Sequence, residues 1–196
     1  RQGENFEPNP GFHEGSAWNY SFYVPHDVYG LAKLMGGKNP FIKKLQMVFD
    51  EGLYDPANEP DIAYAHLFSS FRGEEWRTQK ETQRLLDKYF TTKPNGIPGN
   101  DDTGTMSAWA IFNMIGFYPD CPGLPEYTLT TPVFNKVTIR LDPKWYKEKE
   151  LVIESNRTQP GTLYINKVLL NGKKFNQYRI THDELVHSQR ILFDLK

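Results

Sequence analysis

The hydrophobic period changes once along this chain, near Tyr127, and that change limits the fold more than any other feature. Before it, apolar residues recur at helical spacing. Val28, Leu31 and Leu34 or Met35 precede a Gly36-Gly37 stop, and Phe41, Ile42, Leu45, Val48 and Phe49 form one stripe with Pro40 at an expected first helical position. Asp61 is the expected N-cap of a helix running through "DIAYAHLFSSF". The segment "EEWRTQKETQRLLDKYF" carries Trp76, Leu85, Leu86, Tyr89 and Phe90 among strong helix formers. "TGTMSAWAIFNMIG" is apolar almost all round, as a deeply buried helix should be.

After Tyr127 the pattern becomes alternating and β-branched, in "VTIRLD", "ELVIES", "YRITHDEL" and "RILFDL", with an Asn171-Gly172 hairpin signal. The chain is therefore expected to be mainly α with a β-rich C-terminal region. The division falls in the Pro/Gly segment "YPDCPGLPEY", giving 1–122 and 123–196. Residues 1–25 read as irregular, punctuated by Pro and Gly and rich in aromatics.

Composition narrows the function classes. Lys and Arg number 23 against 24 Asp and Glu, a net charge of −1, so nothing draws the chain toward nucleic acid or anionic lipid. The single cysteine, Cys121, excludes an intrachain disulfide and a Cys-cluster metal site. No apolar run approaches the ~18 residues of a membrane span. The five histidines show no metal-ligand spacing, and the serine-hydrolase, zinc-protease, P-loop and dinucleotide motifs are missing. Aromatics make up 14% of the residues, which suits sugar-stacking platforms and ordinary cores alike.

Three loops place carboxylates beside helix ends. Glu14 stands among Phe12, Trp18 and Tyr20, where desolvation would hold its proton near neutrality; a solvated loop position is equally open. Asp27 precedes a helix and reads as an N-cap or a functional acid. Asn100, Asp101 and Asp102 lie just before the apolar helix, whose first N–H groups favour negative charge. One aspartate suffices for a cap, and two exceed that need. Glu14 and Asp102 are 88 residues apart. If a cavity joins them, one acid in an apolar pocket and one at a helix N-terminus make the pair used in glycoside hydrolysis.

The segments "EGSAWNYSFYVPHDVYGLAKLMGG", "NEPDIAYAHLF", "GEEWRTQ", "GNDDTGTMSAWAIFNMIGFYPDCPG" and "THDEL" together resemble the C-terminal part of the family 92 glycoside hydrolases, calcium-dependent exo-acting α-mannosidases. The resemblance implies the later helices of an (α/α)6 barrel followed by a small β-domain. Full-length members also carry an N-terminal β-sandwich and the rest of the barrel. It implies an inverting mechanism in which Glu14 protonates the leaving oxygen and Asp102 activates water. The two carboxyl groups should then lie roughly 6.5–9.5 Å apart. Trp18, Tyr20, His26, Asp27, Glu59, Asn100 and Asp101 would meet a mannose-containing oligosaccharide, and Asn58, Asn100 and Asp102 would hold Ca2+.

The chain departs from the family pattern in two places. Ser16 stands where the family usually has Asn, and "NEPDIAYAH" lacks the His-containing run of many α-1,2-specific members. α-1,2, α-1,3 and α-1,6 linkages and mannose phosphodiesters all occur as substrates in the family. A phosphorylase on the same barrel and a non-enzymatic carbohydrate-binding module are the rival readings. A secreted or periplasmic location is expected over a cytoplasmic one.

Overall fold

The computed structural model describes residues 11–13 and 15–196. Its first part is helical: α1 (Ala17–Ser21), α2 (Val28–Leu34), α3 (Lys38–Asp50), a 3-10 helix (Glu59–Ser70), α4 (Glu75–Tyr89) and α5 (Thr105–Ile115). The stripe expected on α3 is buried throughout, from Phe41 to Phe49. Pro40 is the third residue of that helix rather than the first, where an N–H would still lack an intrahelical acceptor. Phe22 sits at the centre of this core, edge-on to Phe41 at 5.5 Å and to Tyr64 at 5.4 Å. Burying an aromatic side chain of this size contributes ~1.5–3 kcal/mol relative to leaving it exposed.

Two helices differ from expectation. In α5, Met106, Trp109, Ala110 and Asn113 are buried, but Ile111 is 59% exposed. Trp109 packs on Phe90 and Tyr118, while Ile111 is the one residue of the helix left exposed among the described residues. The segment after "YDPAN" is a 3-10 helix with Asn58 as its N-cap, and Asp61 lies inside the first turn, fully buried. With three residues per turn, Asp61 and Tyr64 fall on one face. Both point at α1, where Tyr64 Oη donates to the Asn19 carbonyl at 2.5 Å and accepts the Phe22 N–H at 3.1 Å.

The strands follow in chain order: β1 (Phe117–Tyr118), β2 (Glu126–Leu129), β3 (Lys136–Arg140), β4 (Glu150–Arg157), β5 (Ile165–Leu170), β6 (Lys173–Phe175), β7 (Arg179–Thr181) and β8 (Arg190–Leu195). They make a three-stranded sheet, β1-β2-β7, and a five-stranded sheet, β3-β4-β8-β5-β6. Every described pairing is antiparallel except β4 with β8. Asn171 (φ 50°) and Gly172 (φ 80°) both take left-handed backbone between β5 and β6, as the hairpin signal requires. Ile191, Phe193 and Leu195 alternate inward on the central strand β8. "YRITHDEL" does not continue as a strand. Thr181 and Glu184 form a capping box, with Glu184 Oε2 accepting the Thr181 N–H at 2.9 Å, and α6 (His182–Val186) begins there.

The helical and β-rich parts share polar ties. Asp120, 3% exposed, accepts from Arg179 at both oxygens, 2.6 and 3.1 Å, and from the Thr128 hydroxyl at 3.0 Å. Gln79 of α4 accepts the Ile165 N–H of β5 at 2.9 Å. Among the described residues no helix is long and apolar enough to cross a membrane.

Candidate functional site

The turn that follows Glu14 is built around Ser16 and Asn19. Ser16 is fully buried and is the N-cap of α1, its hydroxyl accepting the Trp18 N–H at 3.2 Å. Asn19 Oδ1 accepts from both the Ser16 N–H (2.9 Å) and the Ser16 hydroxyl (3.0 Å). This is a capping box with Asn at the third helical position, so the usual Glu/Gln signature did not reveal it. Trp18 is half-buried beneath the Lys44 ammonium, 5.5 Å from its ring centre. Tyr20 packs against Phe12 at 5.7 Å and donates its hydroxyl to the His13 carbonyl. Glu14 itself, and with it the separation between the two expected catalytic carboxyls, lies outside the described residues.

Two close approaches at glycines link this turn to the segment around Asn58, and that segment to the loop of Asn100–Asp102. A methyl group added at Gly15 would come within 2.9 Å of Asn58 Nδ2, and one added at Gly99 within 2.6 Å of the Ala57 Cβ. The absence of a side chain at each glycine therefore lets three segments, distant in sequence, lie against one another. Asn58 is buried at the head of the 3-10 helix and Glu59 is half-buried beside it. Gly99 adopts φ +62° and leads directly into Asn100, Asp101 and Asp102.

Within that third loop the two aspartates have separate tasks. Asp101 Oδ1 accepts the Ser107 N–H at 2.7 Å and Oδ2 accepts the Ser107 hydroxyl at 2.6 Å. It is the cap of α5, placed ahead of the formal N-cap, Gly104. The Ser107 hydroxyl, then its N–H, hold the Asp101 carboxyl below its usual range. Asp102 is exposed, and its carboxylate has no partner among the described residues. Its backbone is fixed instead: Asp102 (φ 41°), Thr103 (φ 59°) and Gly104 (φ 88°) are all left-handed, and the Asp102 carbonyl accepts the Thr105 hydroxyl at 2.6 Å. Left-handed backbone at two non-glycine residues costs of order 1–3 kcal/mol each and is held by its surroundings. Asn100 is exposed on the same loop.

His26 and Asp27 stand apart from this arrangement. His26 is exposed, and Asp27 caps α2 through its Oδ1, which accepts the Gly30 N–H at 2.8 Å. No hydrogen bond among the described residues links either to the turn at Gly15, the segment around Asn58 or the loop of Asn100–Asp102. The Ala57–Gly99 approach sets the loop of Asn100 and Asp102 against the segment that carries Asn58. Among the described residues no group of three or more His, Cys, Asp and Glu side chains could hold a metal ion.

Sequence reasoning missed one buried acid beneath the site. Asp61 Oδ2 accepts from Asn19 Nδ2 at 2.8 Å and from the Asp55 N–H at 2.7 Å. Its Oδ1 is buried with no partner among the described residues. Burial pushes its pKa up to about 8, against the pull of those two hydrogen bonds. Its place in "NEPD" marked it only as a cap.

Comparison with known proteins agrees with the resemblance seen in these motifs. The glycosyl hydrolase family 92 catalytic domain matches residues 2–196. An uncharacterised secreted glycosidase of Arthroderma benhamiae is 29% identical over 171 residues, covering 87% of this chain and 22% of that protein. A family GH92 alpha-mannosidase from Bacteroides thetaiotaomicron superposes with a TM-score of 0.85 at 32% identity, over 94% of this chain and 25% of that one. The same mannosidase in complex with mannoimidazole gives 0.84 at 29% identity, over 92% and 25%. A family GH92 inverting mannosidase from the same organism gives 0.84 at 32% identity, over 97% and 28%. The chain thus spans about a quarter of the length of the proteins it matches. With the family's motifs in order along the sequence and its fold reproduced, the chain belongs to glycoside hydrolase family 92, as a portion of its catalytic domain.

Proposed function

We propose that the full-length protein carrying this chain removes terminal α-linked mannose from mannosides and N-glycan-type mannans, with inversion at the anomeric carbon. Glu14 is the general acid and Asp102 the general base. The observation that carries this reading is the separation of roles in the third loop. Asp101 is consumed by the helix cap, which leaves Asp102 as an exposed carboxylate on a rigid turn at a helix start, packed through Gly99 against Ala57. The N-terminal end of α5 favours the ionised form that a base requires.

Asp102 takes a proton from a water molecule as that water attacks the anomeric carbon, and Glu14 gives its proton to the departing glycosidic oxygen. Trp18 and Tyr20 wall the sugar, while Glu59 and Asn100 offer polar contacts to its hydroxyls. Asn58, Asn100 and Asp102 would hold Ca2+, which when bound supplies a hard Lewis-acidic contact for vicinal hydroxyls. Residues 1–122 are then later helices of an (α/α)6 barrel, and 123–196 the β-rich region that follows. The exposure of Ile111 on α5, at 59%, supports a barrel completed by sequence outside this chain. The secreted fungal relative supports a location outside the cytoplasm.

The test uses the full-length protein on an α-mannobioside, following the anomer first released by proton NMR. β-Mannose should appear first, and Glu14→Gln and Asp102→Asn should each lower kcat by roughly 100-fold or more. Full kcat in Asp102→Asn overturns the assignment. A requirement for inorganic phosphate would make the protein a phosphorylase, and binding without turnover a carbohydrate-binding module.

A further inference from the structure

We propose that Asp61 is a positioning residue of the site: from beneath the 3-10 helix it fixes, through Asn19 and Ser16, the turn that follows the general acid in the chain. The proposal rests on the hydrolase reading above and adds a residue to it. Asp61 Oδ2 receives two donors from two segments, Asn19 Nδ2 at 2.8 Å and the Asp55 N–H at 2.7 Å. Asn19 passes the constraint on, because its other side-chain atom, Oδ1, accepts both the N–H and the hydroxyl of Ser16. The amide cannot be turned over. Reversed, its NH2 would face the Ser16 N–H and its oxygen would face the Asp61 carboxyl oxygen. Ser16 is two residues from Glu14 in the chain.

All three side chains, Ser16, Asn19 and Asp61, are at most 1% exposed, so water cannot substitute for a lost partner without opening the core. The same carboxyl oxygen also holds the Asp55 N–H, two residues before Ala57, the residue against which Gly99 packs. One buried atom thus anchors the turn after the acid and the loop that supports the base. Tyr64, one 3-10 turn further on, holds the Asn19 backbone from the same face. Asn19 is therefore pinned at both side chain and main chain, more than a five-residue helix needs for its own stability.

The experiment compares Asp61→Leu, Asp61→Asn and Asn19→Ala in the full-length protein. The substrates are α-mannobiose, whose leaving group needs a proton, and 2,4-dinitrophenyl α-mannoside, whose leaving group does not. Asp61→Leu and Asn19→Ala should lower kcat/KM on mannobiose by roughly 100-fold, the scale of a lost general acid, and on the aryl mannoside by less than about 10-fold. Asp61→Asn keeps an acceptor oxygen and should recover most of what Asp61→Leu loses. Amide hydrogen exchange gives a readout independent of substrate: the Ser16 N–H should lose protection in Asp61→Leu and keep it in Asp61→Asn. Equal losses on both substrates, or an unchanged Ser16 amide in both Asp61→Leu and Asn19→Ala, overturn the positioning role. Failure of the unmodified protein on both mannosides overturns the hydrolase reading, and the exchange result still decides the Asp61 link.

Discussion

Asp101 and Ser107 are joined twice, one carboxyl oxygen taking the Ser107 N–H at 2.7 Å and the other its hydroxyl at 2.6 Å. The pair starts α5 and fixes the turn that presents Asp102. Ser107→Ala should lower the urea midpoint and reduce kcat, by up to about 100-fold if the base moves by an ångström. The sign with pH follows from the depressed Asp101 pKa. Its stabilising contribution is full above the ordinary carboxylate value and is lost as pH falls through the lower folded value. Urea titrations of wild type and Ser107→Ala should therefore converge in acid, and parallel curves would count against the cap.

Gly99 approaches Ala57 so closely that an added methyl would meet its Cβ at 2.6 Å, at φ +62°. Gly99→Ala should cost ~1–3 kcal/mol and lower kcat/KM by moving the Asn100–Asp102 loop. Ala57→Gly in the same chain should restore the part due to the clash and leave the part due to φ. Full restoration would show that backbone strain at Gly99 contributes nothing.

Asp61 should make stability fall as pH rises. Its pKa is up to about 8 in the folded protein, from an ordinary 3.8, so across that window the folded state keeps a proton that the unfolded chain has released. The slope is at most about 1.4 kcal/mol per pH unit. Asp61→Asn cannot titrate, so its stability should improve relative to wild type from about pH 4 to about pH 8 and change no further above it. Chemical denaturation at three pH values checks the trend.

Calcium removal should silence the full-length protein on an α-mannobioside, and added calcium should restore it. Calcium should also raise the Tm, since a ligand that binds only the folded state stabilises it. Asn58→Ala should shift recovery to higher calcium concentration, and an unchanged calcium titration would remove Asn58 from the ligand set.

Much of this architecture was legible in the residues. The α3 stripe, the Asn171-Gly172 hairpin and the change of period near Tyr127 follow from side-chain spacing, and spacing survives into the fold wherever one face is buried. What escaped was conformational detail set by long-range partners. "DIAYAHLFSSF" has helical composition, yet Asp61 and Tyr64 both find partners on α1 and the segment winds as a 3-10 helix. The parallel pairing of β4 with β8 leaves no local mark, because alternation does not encode strand direction. At the site, paired acids before an apolar helix were visible, and the cap on Ser107 now distinguishes them. Asn19 and Asp61 were not visible as a pair, since nothing in a sequence shows that residues 42 positions apart share a hydrogen bond. The glycine approaches were equally silent.

The seam between the helical and β-rich parts has a consequence for proteolysis. Pro122, Gly123, Leu124 and Pro125 form an exposed loop, an easy place for a protease to cut. Yet Asp120 on one side of that cut is clasped by Arg179 on the other, and Gln79 stoppers the Ile165 amide across it. Parting the pieces would strand a desolvated carboxylate without its counter-ion. A nicked molecule should therefore migrate as two bands in denaturing gel and as one particle in solution, its scissile loop severed and its halves still clenched.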